Sequence, residues 1–411
     1  MSDTAASPPP LQLGLTVAAA QLTLALSWTV YVIFLPTLAL QAGLSPSAVI
    51  LLLMLDQFVF MLSDYACGVA SDRVLAAQAR LGPWLVGITL ASAAAFVSLP
   101  ELAPEGSPAL FIAVTLVWTV TSSVLRAPPM NLIGRHAVRP AQPAMVALAM
   151  LGLGLAAALA PWLALVLKGQ DARLPFVVAS LGVCAAALAM AAAERLARRR
   201  GPPARASHTA TSPADSRWPR LLAAALLAAL AFQLHTSLNA AAQFRRFVPA
   251  EALAWWLPVF WAAFNLALWP AMKLAPRLGE LRLVAAAALV AAVAVAASAV
   301  APSLALLAAT QAVAGMAWAA MLAGGFMAAL AMGHVGREGR FSGALSSSLA
   351  GGALVRLALM ASGGAAVLRA NDAAWPDALP PLLWAIAAGL LMWALKPQPP
   401  GPSLSHPRDG P

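Results

Sequence analysis

Charged residues are scarce in this chain of 411 residues, of which they make up only 10%. A soluble domain carries about 25% charged residues and about 45–50% apolar residues. Here 61% of the residues are hydrophobic. This composition excludes an ordinary soluble enzyme, a disordered protein and a fibrous protein, and it predicts a protein that lies in a lipid bilayer.

Cysteines and catalytic motifs are equally sparse. The two cysteines, Cys67 and Cys184, lie in apolar segments, so we expect buried spectators and no disulfide framework. The chain contains no G-x-x-x-x-G-K-[ST] nucleotide loop, no C-x-x-C and no H-E-x-x-H. We therefore predict that the protein is not an enzyme and that it uses no metal and no cofactor.

Basic residues outnumber acidic ones, with 25 Lys and Arg against 15 Asp and Glu. They lie in short segments between hydrophobic runs, as membrane topology signals do. A nucleic-acid-binding protein would instead gather them into a patch on a soluble module. We therefore expect the lipid bilayer, and no nucleic acid, among the partners.

The hydrophobic residues fall into runs long enough to cross a bilayer, which takes about 20 mainly apolar residues. Residues 1–10 contain no basic region and no cleavage site, so we expect the first run to be retained. Twelve runs lie near 13–39, 47–70, 82–100, 109–129, 144–167, 174–193, 220–243, 251–272, 282–301, 303–332, 342–368 and 379–395.

One long polar segment divides the twelve runs into six and six. Residues 195–219 are basic and rich in Pro and Ser, which is typical of a linker. We therefore predict N-terminal and C-terminal six-helix bundles at 1–194 and 220–396. The Pro-rich tail at 397–411 is predicted to be disordered.

The distribution of Lys and Arg predicts the orientation of these bundles. The basic residues are concentrated in the loops that share a side with the linker, so both termini are predicted to be cytoplasmic. The linker arginines could also bind anionic lipid, which is compatible with a topological role. The fold class is thus an all-α, multi-pass protein of the cell (inner or plasma) membrane.

A short motif follows the second predicted helix. The stretch Gly68-x-x-x-Asp72-Arg73 resembles the loop signature of the major facilitator superfamily, which has the same six-plus-six plan. Lys273-Leu-Ala-Pro276-Arg277-Leu-Gly279 follows helix eight as a degraded copy, with Pro276 at the acidic position. The resemblance implies alternating access between two bundles, with Gly68, Asp72 and Arg73 as a gating latch.

A weaker likeness points to the sugar–cation symporter branch of that superfamily. Asp64, four residues before Gly68, and Gly82-Pro83-Trp84 match its pattern, while Tyr65 and the lone Arg80 depart from it. In that branch the acid at the position of Asp64 binds the coupling cation. The alternative role for Asp64 is structural, in a pair with Arg126.

The resemblance also implies which helices line the central cavity. Helices 1, 4, 7 and 10 should line it, and helices 3, 6, 9 and 12 should face lipid. Polar and aromatic residues follow that division, as expected if polar groups avoid hydrocarbon. The candidate substrate-binding residues are Gln21, Trp28, Tyr31, Trp118, Arg126, Gln233, Asn239, Gln311 and Trp318. The alternative is interhelical packing, in which amides hydrogen-bond across helices.

Three further ionisable residues lie inside predicted helices. Asp56 and Arg356 each fall near the membrane midplane, and the resemblance implies that their helices meet, so we predict a cross-bundle ion pair between them. Asp56 is also a candidate for coupling-ion binding, together with Asp64. His235 is a third candidate, because imidazole titrates near neutral pH, although a packing role is the alternative.

Together these features predict a secondary active transporter that moves a small polar solute by alternating access, coupled to H+ or Na+. We expect it to act as a monomer. The sequence leaves two alternatives open. One is a proton-coupled efflux carrier for amphipathic compounds, and the other is a non-transporting sensor or assembly factor on the same fold.

Overall fold

The computed structural model of the chain describes residues 11–76, 80–126, 128–136, 141–200, 217–333, 336–364 and 375–396. Every regular element in these ranges is helical. Twelve helices are long and apolar enough to cross a membrane, and each coincides with one predicted run. We number them α1 (Leu11–Gln41), α2 (Pro46–Val74), α3 (Leu81–Glu105), α4 (Pro108–Gly134), α5 (Gln142–Val166), α6 (Arg173–Arg199), α7 (Trp218–Phe244), α8 (Ala250–Leu278), α9 (Glu280–Ala299), α10 (Leu304–Gly333), α11 (Glu338–Ala361) and α12 (Pro376–Ala394).

The helices pack as two six-helix halves. In the first half α1 packs against α5 and α6, and α3 packs against α4 and α6. In the second half α7 packs against α11 and α12, while α10 packs against α8 and α9. The halves meet mainly along α2–α11 and α5–α8, which confirms the expectation that the helices of Asp56 and Arg356 are neighbours.

Six helices take their principal neighbours from their own half only: α1, α3, α6, α7, α9 and α12. Large apolar side chains project from their outer faces, including Leu174 and Leu181 on α6 and Val293 on α9. Such side chains suit contact with acyl chains, which are as apolar as leucine. That helices 3, 6, 9 and 12 face lipid stays a prediction.

Several helix ends differ from the prediction by a few residues, and two of them affect the charged residues. α11 ends at Ala361, well before residue 368, and Gly363 follows in the left-handed region with φ 74°. Glycine adopts this backbone conformation without a steric penalty and commonly terminates helices. α6 continues to Arg199, into the segment predicted as linker, because arginine is a good helix former.

The remainder of the predicted linker, 201–216, lies outside the described residues, as does the tail 397–411. At the Asp72 end, α2 ends and α11 begins, and at the Asp377 end, α11 ends and α12 begins.

Candidate transport site

The signature segment ties the two halves together at the Asp72 end. The buried carboxylate of Asp72 accepts hydrogen bonds from the backbone amides of Gly339 (2.9 Å to Oδ1) and Arg340 (2.8 Å to Oδ2). These amides belong to the first turn of α11, where no carbonyl of the helix can bind them. Asp72 therefore caps a helix of the other half, and its charge is favourable beside the helix N-terminus.

Two further residues shape this contact. Asn131, on α4, donates a hydrogen bond to Oδ1 of Asp72 at 2.7 Å and holds the carboxylate in place. Gly68 packs so closely on α11 that a Cβ there would collide with the carbonyl oxygen of Gly339. The predicted latch residues Gly68 and Asp72 thus lie at the contact between the halves, whereas the side chain of Arg73 is exposed.

A break in α4 positions Arg126. The α-helix runs to Ser122, continues as a 3-10 turn through Leu125, and resumes at Pro128. Pro128 and Pro129 carry no amide hydrogen, so they cannot bond the carbonyls one turn earlier. The helix is interrupted there, and Arg126 lies at the interruption.

Arg126 pairs with the buried Asp64. Its Nη2 atom is 3.2 Å from Oδ2 of Asp64, and its guanidinium lies over the ring of Phe60 at 4.2 Å. Gln21, from α1, donates a hydrogen bond to the backbone carbonyl of Arg126 at 3.3 Å. The pair with Arg126 that the sequence offered as an alternative for Asp64 is therefore formed, while the Oδ1 atom of Asp64 has no hydrogen-bonding partner.

Asp56 lies fully buried in the first half and is held by hydroxyl groups alone. The hydroxyl of Tyr31 donates to Oδ2 and that of Thr119 donates to Oδ1, each at 2.8 Å. Among the described residues Asp56 has no cationic partner within ion-pair distance. The predicted Asp56–Arg356 ion pair is therefore wrong for this conformation.

The register between α2 and α11 explains why that pair does not form. The two helices run antiparallel, with Gly68 against Gly339 and the carbonyl of Met61 accepting a hydrogen bond from Ser347. By the same register Arg356 lies opposite the start of α2, about five residues or roughly 7.5 Å nearer the Asp377 end than Asp56. Arg356 lies five residues before the end of α11 at Ala361.

Aromatic rings connect the two acidic sites of the first half. Trp28 lies 5.4 Å from Tyr31 and 5.3 Å from Phe60 between ring centroids, and Trp118 lies 4.6 Å from Tyr31. Tyr31 and Trp118 are buried, so they pack inside the half, whereas Trp28 is partly exposed. The sequence prediction omitted Phe60, although it lies one helical turn from both Asp56 and Asp64.

In the second half the predicted polar residues bind one another. The side chains of His235 and Gln311 lie 3.0 Å apart, between Nε2 and Oε1. Gln311 donates to Oε1 of Gln243 at 3.2 Å, and Gln243 donates to Oδ1 of Asp377 at 2.8 Å. A carboxylate only accepts hydrogen bonds, so the NH2 group of Gln243 faces Asp377 and its Oε1 atom faces Gln311. Gln311 then uses its NH2 group on Gln243 and turns its Oε1 atom to His235. His235 therefore donates from Nε2, and its buried Nδ1 atom has no partner.

These contacts are those of interhelical packing. Asn239 donates to the carbonyl of Pro376, and Trp318 is buried in a stack with Phe232 at 4.5 Å. His235, Asn239 and Gln311 are buried as well, so in this conformation they do not line an open cavity. Gln233 remains partly exposed, and its role in substrate binding stays a prediction.

A π-helical turn in α7 brings these side chains into position. It spans His235–Asn239 and adds one residue to the turn, which rotates the residues that follow. Ser298 of α9, which the sequence prediction omitted, donates to Oε1 of Gln243 at 3.1 Å. The chain from His235 to Asp377 thus links α7, α10 and α12.

Comparisons with known proteins define the fold. The human organic anion transporter MFSD10 (TETRAN) has a TM-score of 0.70 at 15% identity, covering 94% of this chain and 99% of that one. A bacterial homologue of the iron transporter ferroportin, in the outward-facing state, has a TM-score of 0.71 at 14% identity, with 93% and 99% covered. The fucose:proton symporter FucP of E. coli has a TM-score of 0.63 at 15% identity, with 95% and 100% covered.

A family model identifies the superfamily, although the search of curated proteins found no match to this chain. The model of the Major Facilitator Superfamily matches residues 17–356. That range includes the latch, both acidic sites of α2 and Arg356. The chain therefore belongs to the major facilitator superfamily, as a multi-pass membrane transporter and not an enzyme.

Proposed function

We propose that the protein is a proton-coupled secondary transporter of a small polar solute, with Asp56 as the carboxyl group that binds the coupling proton. The observation that carries this proposal is the environment of Asp56. It is fully buried, two neutral hydroxyls hold it, and it has no cation beside it among the described residues. A lone buried charge is costly, and binding a proton removes the charge.

A proton suits this site better than a sodium ion does. Hard cations in proteins are held by a cage of oxygen ligands. Both oxygens of Asp56 already accept hydrogens, one from the hydroxyl of Tyr31 and one from that of Thr119. One of the structurally similar proteins, FucP, is a fucose:proton symporter, which also favours a proton.

The other two candidates for coupling are less suited. The charge of Asp64 is already compensated by Arg126 at 3.2 Å. His235 is enclosed inside the second half, in a chain of amides that ends at Asp377. Asp56 instead lies on α2, the helix that also carries the latch and packs against the other half.

The latch gives the proposal a conformational link. With the Asp72 end cytoplasmic, as the basic loops predict, the contacts of Asp72 with α11 close the cytoplasmic side. Solute and proton would then enter from the Asp377 end. About 16 residues of α2, or roughly 24 Å of continuous helix, separate Asp56 from Asp72. Protonation at one point of α2 can thereby bias the contact that the same helix makes at its end.

Transport by purified protein in liposomes tests the proposal. A lumenal pH dye records proton entry while candidate solutes are added outside, with an imposed pH gradient or a sodium gradient. We expect solute-dependent acidification in the wild type and none in Asp56→Asn. Solute exchange without a gradient should persist in that variant, because the neutral amide mimics the protonated acid.

Asp64→Asn serves as the comparison variant. It should weaken the pair with Arg126 and lower the rate, but leave proton coupling in place. Gradient-driven accumulation that survives Asp56→Asn, or that follows a sodium gradient alone, would overturn the proposal.

A further inference from the structure

Two of the charged residues inside the spans have no ion-pair partner among the described residues. Five charged side chains are buried or partly buried away from the terminal turns of the described helices: Asp56, Asp64, Arg126, Glu194 and Arg356. Glu194 pairs with Arg198 at 3.2 Å. Asp64 and Arg126 compensate each other at 3.2 Å. Asp56 and Arg356 remain, one in each half, and they do not pair.

Arg356 has unused hydrogen-bonding capacity. Its Nε atom is buried without a partner, and Nη1 contacts the sulfur of Met360 at 3.3 Å. A guanidinium has five N–H donors, and a thioether is a weak acceptor. No acidic side chain of the described residues lies within ion-pair distance of Arg356. Because a guanidinium without a counter-charge is costly inside a membrane, a suitable anion would relieve that cost.

The position of Arg356 suits capture of a ligand. It lies near the Asp377 end of α11, opposite the closed latch, and it is only partly buried. Its neighbour Val355 is 46% exposed, as a lipid-facing residue is, and lies about 100° away around the helix. Gly352 and Ala353, which lie one turn before Arg356 on the same face of α11, are buried, so Arg356 extends from a packed face of the helix.

We propose that the transported solute is an organic anion whose acidic group binds Arg356 and which crosses together with the proton held by Asp56. This inference rests on the proposed function, because it requires Asp56 to bind the proton. A planar guanidinium binds a carboxylate or phosphate group through two parallel hydrogen bonds, which gives this site its chemical class.

Charge balance supplies the coupling. In the empty carrier, the charges of ionised Asp56 and of Arg356 sum to zero. With both ligands bound, the protonated acid is neutral and the anion offsets Arg356, so the sum is again zero. With only a proton the carrier holds one uncompensated positive charge, and with only an anion it holds one negative charge. Both half-loaded states are penalised in low dielectric, so the carrier crosses empty or fully loaded.

The groups that could disturb this balance are few. The charged or titratable residues nearest to Asp56 on the helices packed around it are Tyr31 on α1, Arg126 on α4 and Arg356 on α11. Tyr31 is hydrogen-bonded to Asp56, and Arg126 is paired with Asp64. A single proton on Asp56 is therefore matched by a single negative charge on the solute.

Matched pairs of an acid and a neutral analogue test the inference. Benzoate with benzamide, lactate with lactamide, and glucuronate with glucose are compared by thermal stabilisation of the protein in detergent and by uptake into liposomes. We expect at least one acid to stabilise the protein and to accumulate with a pH gradient, with its neutral partner inactive. Uptake should not change when the membrane potential is set with potassium and valinomycin, because one proton accompanies one negative charge.

Variants of Arg356 complete the test. Arg356→Gln should weaken binding of the acid at least tenfold, and Arg356→Lys should retain part of it, since the charge remains but the paired hydrogen bonds are lost. Lys273→Gln, an exposed cation at the opposite end, is the matched control and should behave as wild type. Both Arg356 variants are first checked for monodispersity and tryptophan fluorescence.

The outcomes separate this inference from the proposed function. Acids that bind no better than their neutral analogues, or an acid preference that survives Arg356→Gln, overturn the anion site while proton coupling through Asp56 stands. The anion site is also overturned, and proton coupling again stands, if Arg356 binds only the phosphate of a lipid headgroup. In that case Arg356→Gln changes stability according to the lipid added, with no effect on solute charge preference. Gradient coupling that survives Asp56→Asn overturns both.

Discussion

Asp72 accepts a hydrogen bond from the backbone amide of Arg340 at 2.8 Å, across the boundary between the two halves. Helix caps usually come from the residue just before the helix, whereas this one comes from a different half of the molecule. The cap exists only while the Asp72 end is closed. When the halves separate there, the first-turn amides of α11 must be left to water, so the cap stabilises one state of the transport cycle.

The first prediction concerns this cap. Asp72→Ala removes hydrogen bonds to a charged group, each of which contributes about 1.5–3 kcal/mol. The population closed at the Asp72 end should fall about tenfold or more. Pulsed electron paramagnetic resonance between spin labels at the exposed positions Arg80 and Arg337 measures this as a shift to longer distances. Glu280→Ala, which removes a first-turn acid within one half, should leave the distances unchanged.

The second prediction concerns the closeness of α2 and α11. A Cβ at Gly68 would collide with the backbone carbonyl of Gly339, so Gly68→Ala should hold the Asp72 end apart and slow transport. Gly87→Ala on α3 is the matched control, since no atom lies within 4 Å of its added Cβ. The same distance measurement checks both variants, and a Gly68→Ala protein that closes normally would contradict the packing seen here.

The sequence predicted the helices better than the contacts of the charged residues. Hydropathy locates the runs that a bilayer requires, and the latch was located by its position after the second run. Hydropathy does not show where a helix ends among small apolar residues. Residues 361–368 include one polar residue, Ser362, and no charge, but α11 stops at Ala361, ahead of Gly363 and Gly364. Those two glycines were the available signal for the helix end, whereas the register that separates Arg356 from Asp56 left no signal in the sequence.

The polar residues of the second half show a different limit. A buried amide needs a hydrogen-bonding partner, and the sequence does not state whether that partner is protein or solute. The spacing of polar and apolar residues also does not reveal the π-helical turn at His235–Asn239. These two unknowns together explain why a predicted cavity lining is observed as interhelical hydrogen bonds.

The third prediction concerns Glu194, near the end of α6. Its buried carboxylate accepts hydrogen bonds from the amides of Leu81 (3.0 Å) and Gly82 (2.5 Å) at the start of α3, and it pairs with Arg198 at 3.2 Å. Glu194→Gln should lower the free energy of unfolding by about 1–3 kcal/mol, because a charged acceptor is lost at a helix N-terminus.

Thermal unfolding in detergent measures that loss. Glu101→Gln is the control, because Glu101 and Arg173 form an exposed pair with side-chain exposures of 55% and 59%. Exposed pairs contribute about 0–1 kcal/mol, so this variant should remain near the wild-type melting temperature. Equal effects of the two substitutions would show that the buried cap on α3 carries no special weight.

The last prediction separates packing from substrate binding in the second half. Gln243 hydrogen-bonds Asp377, Ser298 and Gln311, and Gln311 also bonds His235. Interhelical hydrogen bonds in membranes contribute about 0.6 kcal/mol each on average, so Gln243→Leu should cost about 2 kcal/mol of stability. Because Gln243 and Gln311 share a bond, the loss in the double variant should differ from the sum of the single losses by about 0.5 kcal/mol or more.

Reversible unfolding in mixed micelles measures these values, and solute affinity is measured on the same variants. A packing role requires that stability falls while the affinity of the folded protein changes little. If Gln311→Leu instead kept its stability and lost affinity, the amide would belong to the solute in another conformation of the carrier. The hydrogen bonds seen here would then be the contacts that a bound solute displaces.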